Sequence, residues 1–316
     1  MKWKRLLPII GIAIFVYILF RLDVSKILLE VKNANSNLLI TALFFFLIFM
    51  VLQTGKWFVI ARVQKIDISY IDAFKINTKT FFYSFITPSR IGVAMRAEYL
   101  RRHNGNLGKG LSNYTIDKVL DLCALIFIVI FAIAIKAIIP RVYIYYFSIA
   151  LILLIVGLIL FIEEKRSRKI LGIFLKRIVP KRMKNRGKKL FESFYENMPK
   201  KRYFPLFFLM NLLTWIVLET VNYFIGLSLG INVSYFYYLA ILPLATLISQ
   251  IPITIGGLGT REASLIGFFS LLNVEATKVF SMSMIGLALT AILPAIIGGF
   301  LILKSKKKFD RKFFNS

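Results

Sequence analysis

Long apolar runs punctuated by short polar stretches dominate the chain. They cover 6–20, 38–60, 114–139, 142–162, 204–229 and 276–303, and most reach the roughly 20 residues a helix needs to cross a bilayer. The pattern predicts an all-α polytopic membrane protein, one integral domain over 1–316, with about six transmembrane helices. Trp57, near the end of the second run, reads as an interfacial anchor. The opening Met1-Lys2-Trp3-Lys4-Arg5 and its apolar continuation are built like a signal peptide. No small-residue cleavage site follows, so the run reads as an uncleaved first span.

Two places break the pattern. Residues 70–86 are helical in composition but hold Asp72, Lys75, Asn77 and Lys79, and 93–102 carry Arg96, Glu98, Arg101 and Arg102 around His103's neighbourhood; Pro88-Ser89-Arg90-Ile91-Gly92 separates the two. Later, a short helix over 235–251 meets Pro252-Ile253-Thr254-Ile255-Gly256-Gly257-Leu258-Gly259, and Thr260-Arg261-Glu262 opens a new helix that runs to Leu272. Proline withholds a helix donor and glycine permits turns that a β-carbon forbids. Irregular backbone at membrane depth is tolerated only where it is buried in protein or lines a wet cavity, so each break predicts a re-entrant hairpin. The plainer alternatives are an interfacial hairpin for the first break and a tight loop between membrane helices for the second.

The breaks share a spacing. Proline precedes glycine by four residues in Pro88/Gly92 and Pro252/Gly256, and precedes glutamate by ten in Pro88/Glu98 and Pro252/Glu262. Such weak internal similarity is the trace of a duplication, here of half-repeats 38–139 and 203–303. Lysine and arginine bias puts both termini and the 163–202 insertion in the cytoplasm of a multi-pass plasma-membrane protein, with the near-neutral 21–37 loop outside. The halves then relate by inverted topology, and their breaks meet near mid-membrane.

Composition narrows the chemistry. Apolar residues make up 58% of the chain, mean hydropathy is +0.73 and the formal net charge is +27. The basic residues crowd the ends of apolar runs, which fits topology and anionic headgroups and argues against nucleic acid. Within 163–202, Ile170, Leu171, Phe174, Leu175 and Ile178 recur at helical spacing among lysines and arginines, predicting a basic amphipathic helix on an anionic membrane surface. Cys123 and His103 are each the sole residue of their type, so no disulfide framework, thiolate site or zinc site is expected, nor any cofactor.

Charges inside apolar runs are the candidates for function. Asp117, Lys118 and Asp121 open the third span, with both aspartates on one helix face and Lys118 in reach of Asp121. Glu219 lies at mid-span on a face shared with Asn211, Trp215 and Asn222. Arg96 and Arg261 stand at the starts of half-helices. There the free N–H groups following Gly92 and Gly259, together with a guanidinium, suit a phosphate, while Glu219, Asp117, Asp121 and Lys118 form a counter-charge network.

With these motifs placed, the chain resembles the flippase-like membrane family that includes the N-terminal part of lysylphosphatidylglycerol synthases and archaeal glycolipid-pathway proteins. Pro88-Ser89-Arg90-Ile91-Gly92 with Arg96, Asp117-Lys118-Val119-Leu120-Asp121, and Gly256-Gly257-Leu258-Gly259-Thr260-Arg261-Glu262-Ala263 carry the likeness. It implies translocation of an anionic phospholipid or lipid-linked glycan, with Arg90 and the glycines Gly256, Gly257 and Gly259 among the substrate contacts. Val93 stands where the family carries glutamate, leaving Glu98 as the nearest substitute, and Lys118 where it carries arginine. No soluble aminoacyl-transferase domain is expected after residue 303, and no nucleotide-binding motif is present. The rival classes are an integral transferase acting on a polyprenyl phosphate or phospholipid, with Asp117 and Asp121 as its carboxylate pair, and a non-catalytic partner of such an enzyme. The topology is testable: single cysteines at Asn185 and Asn232, in a Cys123→Ser background, are expected to label from opposite sides of the membrane. Labelling from the same side would overturn the inverted arrangement.

Overall fold

Two long antiparallel helices from different halves of the chain form the axis of the computed structural model. It describes residues 7–87, 91–104, 106–135, 142–162, 189, 192–250 and 257–314. The amphipathic positions 170–178 and the turn residues 88–90 and 251–256 lie outside these. All described structure is helical, without a strand. The elements are α1 (Leu7–Arg21), α2 (Val24–Lys32), α3 (Ser36–Val63), α4 (Tyr70–Ile86), α5 (Met95–Asn104), α6 (Leu107–Ile135), α7 (Val142–Ile162), α8 (Phe204–Ser228), α9 (Tyr235–Ser249), α10 (Thr260–Ser270), α11 (Ala276–Leu287) and α12 (Leu293–Phe314). Among the described residues, four stretches are long and apolar enough to cross a membrane: Ser36–Val63, Leu107–Ile135, Lys201–Ser228 and Ala276–Ser305.

Local chemistry sets the helix starts. Asn35 caps α3 by accepting from the Asn37 and Leu38 N–H groups, and Ser69 caps α4 by accepting from the Asp72 N–H at 3.1 Å. Pro205 sits in the first turn of α8, where its missing donor costs nothing. Pro294 cannot donate back into the preceding turn, and the chain answers with a π-helical segment at Ala288–Ile292 between α11 and α12.

The axial pair is α3 on α8. Asn35 N–H donates to the Ser228 carbonyl at 2.9 Å, the Phe45 and Phe224 rings stack at 5.3 Å, and Lys56 Nζ reaches Asn211 Oδ1 at 3.1 Å. Numbers rise along one helix as they fall along the other, so the pair is antiparallel. Around it the halves exchange partners. Helix α6 packs Ile128 and Ala132 against Leu239 and Ala240 of α9, while Gly298 of α12 lies on the Thr78 backbone of α4. Close backbone approach through glycine is how membrane helices gain contact when lipid is as apolar as their own side chains. Each half runs long helix, short helix, break, short helix, long helix.

Both breaks fold back on the preceding helix. At the first, a 3₁₀ turn over Ile91–Ala94 leads into α5, and a β-carbon on Gly92 would fall on the Tyr83 carbonyl of α4. At the second, Gly259 holds φ +82° and ψ −53° at the start of α10, a rare and strained γ-turn conformation for any residue with a β-carbon. Two expectations need correction. The 21–37 loop contains the helix α2, capped by Asp23 and anchored by Ile27 against Phe280. Trp57 is no interfacial anchor: it is fully buried among Ala61, Ile66, Ala73 and Leu100, because α4 and α5 cover the face that a simple span would show to headgroups. Gly92→Ala is expected to lower stability in detergent by about 1–3 kcal/mol through overpacking. Gly267→Ala on α10, where a β-carbon meets nothing within 4 Å, is expected to be neutral or slightly stabilising. Equal thermal-unfolding losses in the two variants would contradict the close approach at the first break.

Candidate functional site

Lys56, two turns from the C-terminal end of α3, is 1% exposed, a placement that costs several kcal/mol unless the charge is paired. Its Nζ lies 2.5 Å from Asp121 Oδ1 and 3.4 Å from Asp117 Oδ1, and donates to Asn211 Oδ1 at 3.1 Å. The carboxylates come from one face of α6, four residues apart, as their spacing requires. Trp215 of α8 adds a bond from Nε1 to Asp121 Oδ1 at 2.9 Å. One lysine thus ties α3, α6 and α8 together.

Arg96 enters from the first turn of α5 and is equally buried. Its Nη2 donates to Asp117 Oδ2 at 2.8 Å, and its guanidinium sits 5.0 Å from the Trp57 ring and 5.7 Å from the Tyr114 ring. A desolvated cation gains from both the carboxylate and the aromatic faces. The fit is incomplete: Arg96 Nε and Asp117 Oδ1 are buried without a hydrogen bond.

A cavity of about 130 Å³ opens beside the network. Asp117, Asp121, Lys118 and Tyr114 of α6 form one wall, Gln53 of α3 and Asn77, Thr80 and Ser84 of α4 another, and Trp215, Thr246, Ser249 and Gln250 close it from the second half. Val93, from the first break, and Thr290, from the π-helical segment, also reach it. The lining therefore combines both breaks' flanks and both halves.

The second break is built differently. The Glu262 carboxylate accepts from the Gly259 N–H at 2.7 Å and from Ser283 Oγ at 2.8 Å, and is buried. Glu219, also buried, accepts from Asn222 Nδ2 at 3.2 Å and feels the charge of Arg261. The side chain of the half-buried Arg261 makes no hydrogen bond or ion pair to the described residues and does not line the cavity. The two glycines' own N–H groups are taken internally. Gly259 gives its N–H to Glu262, and Gly92 gives its N–H to Thr87 Oγ1 at 2.8 Å. Helix ends in a low-dielectric setting take internal acceptors because unpaired donors are costly there. Gly257 and Gly259 are buried, with Gly257 against Ser249; Gly256 and Arg90 lie outside the described residues.

Glu98 does not join the site. It receives Arg101 through two bonds of 2.7 Å and Arg102 through one of 3.4 Å on the outer face of α5. Arg101, helped by Arg102, holds its carboxyl down at about 2. Exposed pairs of this kind stabilise little. Sequence reasoning passed over Lys56 altogether, although a lone lysine inside the 38–60 apolar run is the signal that intramembrane charge is functional. Gln53 and Thr290 had no comparable signal.

Comparison with known proteins bears on this arrangement. A family described as "Lysylphosphatidylglycerol synthase TM region" matches residues 8–298, a stretch that includes every element of the site. The chain belongs to that family. Relatives of the lysylphosphatidylglycerol synthase TM region family include UPF0104 membrane proteins. One from Pyrococcus horikoshii is 22% identical over 96% of this chain and 98% of its own length. One from Methanocaldococcus jannaschii is 23% identical over 98% of this chain and 97% of its own. The resemblance carried by the two break motifs and the Asp117–Asp121 segment thus holds for the whole fold. Lys56→Met is expected to cost about 3–5 kcal/mol in stability, because it leaves the buried Asp121 without its cation and Asp117 with Arg96 alone. Adding Asp121→Asn to Lys56→Met is expected to recover part of the loss in thermal unfolding. Additive losses in the double variant would contradict a shared pair.

Proposed function

We propose that this chain carries the anionic headgroup of a phospholipid or lipid-linked glycan between the leaflets of the cell membrane through the central cavity, while the acyl chains stay in the bilayer. The cavity itself supports the reading. It lies between the halves and sets carboxylates, a lysine, amides and hydroxyls among apolar side chains such as Phe49, Phe81 and Leu218, and polar groups of this kind among membrane helices mark a path for polar cargo. The family's own description names the synthase of a phospholipid, lysylphosphatidylglycerol.

In this reading the protein has six spans and two re-entrant hairpins, with both termini cytoplasmic. The reciprocal pairing of α6 with α9 and α4 with α12 is what a two-fold exchange of inverted halves produces. Arg96 positions Asp117, and Arg261 is a second phosphate contact, met as the headgroup passes the second break. Purified protein in phosphatidylcholine vesicles, doped with fluorescent phosphatidylglycerol, is expected to expose the inner-leaflet probe to dithionite. Protection of the inner leaflet equal to protein-free vesicles contradicts translocation.

The role of Arg261 is separately testable. Arg261→Ala is expected to stay folded and to weaken binding of anionic lipid by about ten- to a hundredfold, the worth of one charge-assisted contact. Arg261→Lys keeps the charge but loses the planar fork, giving an intermediate defect. Arg101→Ala, on the exposed face, is expected to cost much less. A stable Arg261→Ala protein that binds as tightly as the parent sinks this assignment.

A further inference from the structure

We infer that α2 is an in-plane membrane anchor: Val24, Leu28 and Val31 enter the boundary between lipid headgroups and acyl chains, while Ser25 and Lys26 stay in water. The partner is the bilayer surface itself, and what the central cavity carries has no bearing on this contact.

Helix α2 joins the end of α1 to the start of α3. Asn35, which follows α2 and caps α3, donates its N–H to the carbonyl of Ser228, the last residue of α8. Both α3 and α8 belong to stretches long and apolar enough to cross a membrane, so the connection through α2 lies where a crossing ends. On α1, Arg21 Nε donates to Tyr17 Oη at 3.0 Å, and both side chains are exposed. A tyrosine and an arginine paired at the end of an apolar helix belong at the level of the headgroups.

Positions 24, 28 and 31 follow the i, i+4, i+7 spacing that puts side chains on one helix face. Val24 is 51%, Leu28 63% and Val31 38% exposed. Ser25 and Lys26 lie off that face and are exposed, while Lys32 stands at its edge, where its charge can snorkel to water. Leu29, one residue round from the stripe, is the exposed apolar side chain of α2 left outside it. On the remaining side, Ile27 is buried against Phe280 of α11. The protein thus holds α2 along one edge and leaves the apolar face bare, the build of a helix that lies in the interface plane.

The neighbouring helices are apolar and exposed up to the same level, through Val16 and Phe20 of α1 and Ile40 and Phe44 of α3. Lipid covers such side chains on a crossing helix, and the stripe on α2 continues their apolar surface at the membrane's edge. In water the same three side chains would form an uncompensated apolar face. The contact also reaches the second break. Helix α11 carries both Phe280, which receives Ile27, and Ser283, whose Oγ donates to Glu262 of α10 at 2.8 Å.

The test places a nitroxide on single cysteines at Val24, Leu28, Val31, Ser25 and Lys26, in a Cys123→Ser background of the full chain, reconstituted in vesicles of phosphatidylcholine and phosphatidylglycerol. All five side chains are exposed, so labelling removes no packed contact. Collision with oxygen, which is enriched in lipid, is compared with collision with a nickel chelate confined to water. The three stripe positions are expected to favour oxygen, at a depth of about 5–10 Å, and Ser25 and Lys26 to favour nickel. Leu28→Asp is expected to shift the label at Val31 toward nickel. Five labels that all favour nickel overturn the inference by placing α2 in water. Stripe labels reached by neither reagent overturn it as well, since a protein then covers the face; spin–spin broadening would identify that cover as a second copy. Labels that all favour oxygen contradict the oriented arrangement, and a Val31 label unmoved by Leu28→Asp contradicts the anchor.

Discussion

A single lysine shared between two carboxylates organises the membrane-buried centre of this protein. Lys56 touches Asp117 and Asp121 of α6 and Asn211 of α8. A buried charge costs several kcal/mol in isolation and is tolerated when each partner's remaining lone pairs also find donors. Trp215 donates to Asp121 Oδ1 and Arg96 to Asp117 Oδ2, so the network extends from the axial helices to the first break, while Asp117 Oδ1 stays without a hydrogen bond. Because Arg96 belongs to α5, the ion pair that neutralises Asp117 also ties α5 to α6. The site and the fold share one set of contacts.

The two halves use similar backbone for different electrostatics. The first break delivers an arginine to a carboxylate on the neighbouring long helix. The second closes on its own glutamate, with Glu262 spanning from Gly259 to Ser283 of α11, and leaves Arg261 facing Glu219 without direct contact. An internal carboxylate therefore caps the helix that follows the second break, while the carboxylates of α6 line the central cavity. The π-helical segment at Ala288–Ile292 contributes Thr290 to the same cavity. It is a local departure for which the missing donor of Pro294 accounts.

Much of this was legible in the chain. The apolar runs gave α7 at its structural bounds and α4 as a polar helix, because hydropathy over a whole helix is a strong signal. The aspartates at 117 and 121 and Glu219 stood out as charges that lipid does not tolerate. What escaped was anything set by three-dimensional cover. Trp57 near the end of an apolar run reads as interfacial until α4 and α5 are known to lie over it. Lys56 beside it was hidden by the same proximity to a helix end, where lysines ordinarily snorkel. Gln53 and Gln250 are ordinary polar residues until the cavity shows that nothing in the described protein occupies their amides.

The central claim is that the network around Lys56 shapes a cavity for a lipid headgroup. Electron cryomicroscopy of the protein in nanodiscs containing phosphatidylglycerol tests it most directly. The account predicts phosphate density inside the cavity, between Lys118, Asp121 and Gln250, with the Lys56–Asp121 contact intact. A cavity filled by acyl chain, with every headgroup left at the bilayer surface, would contradict it.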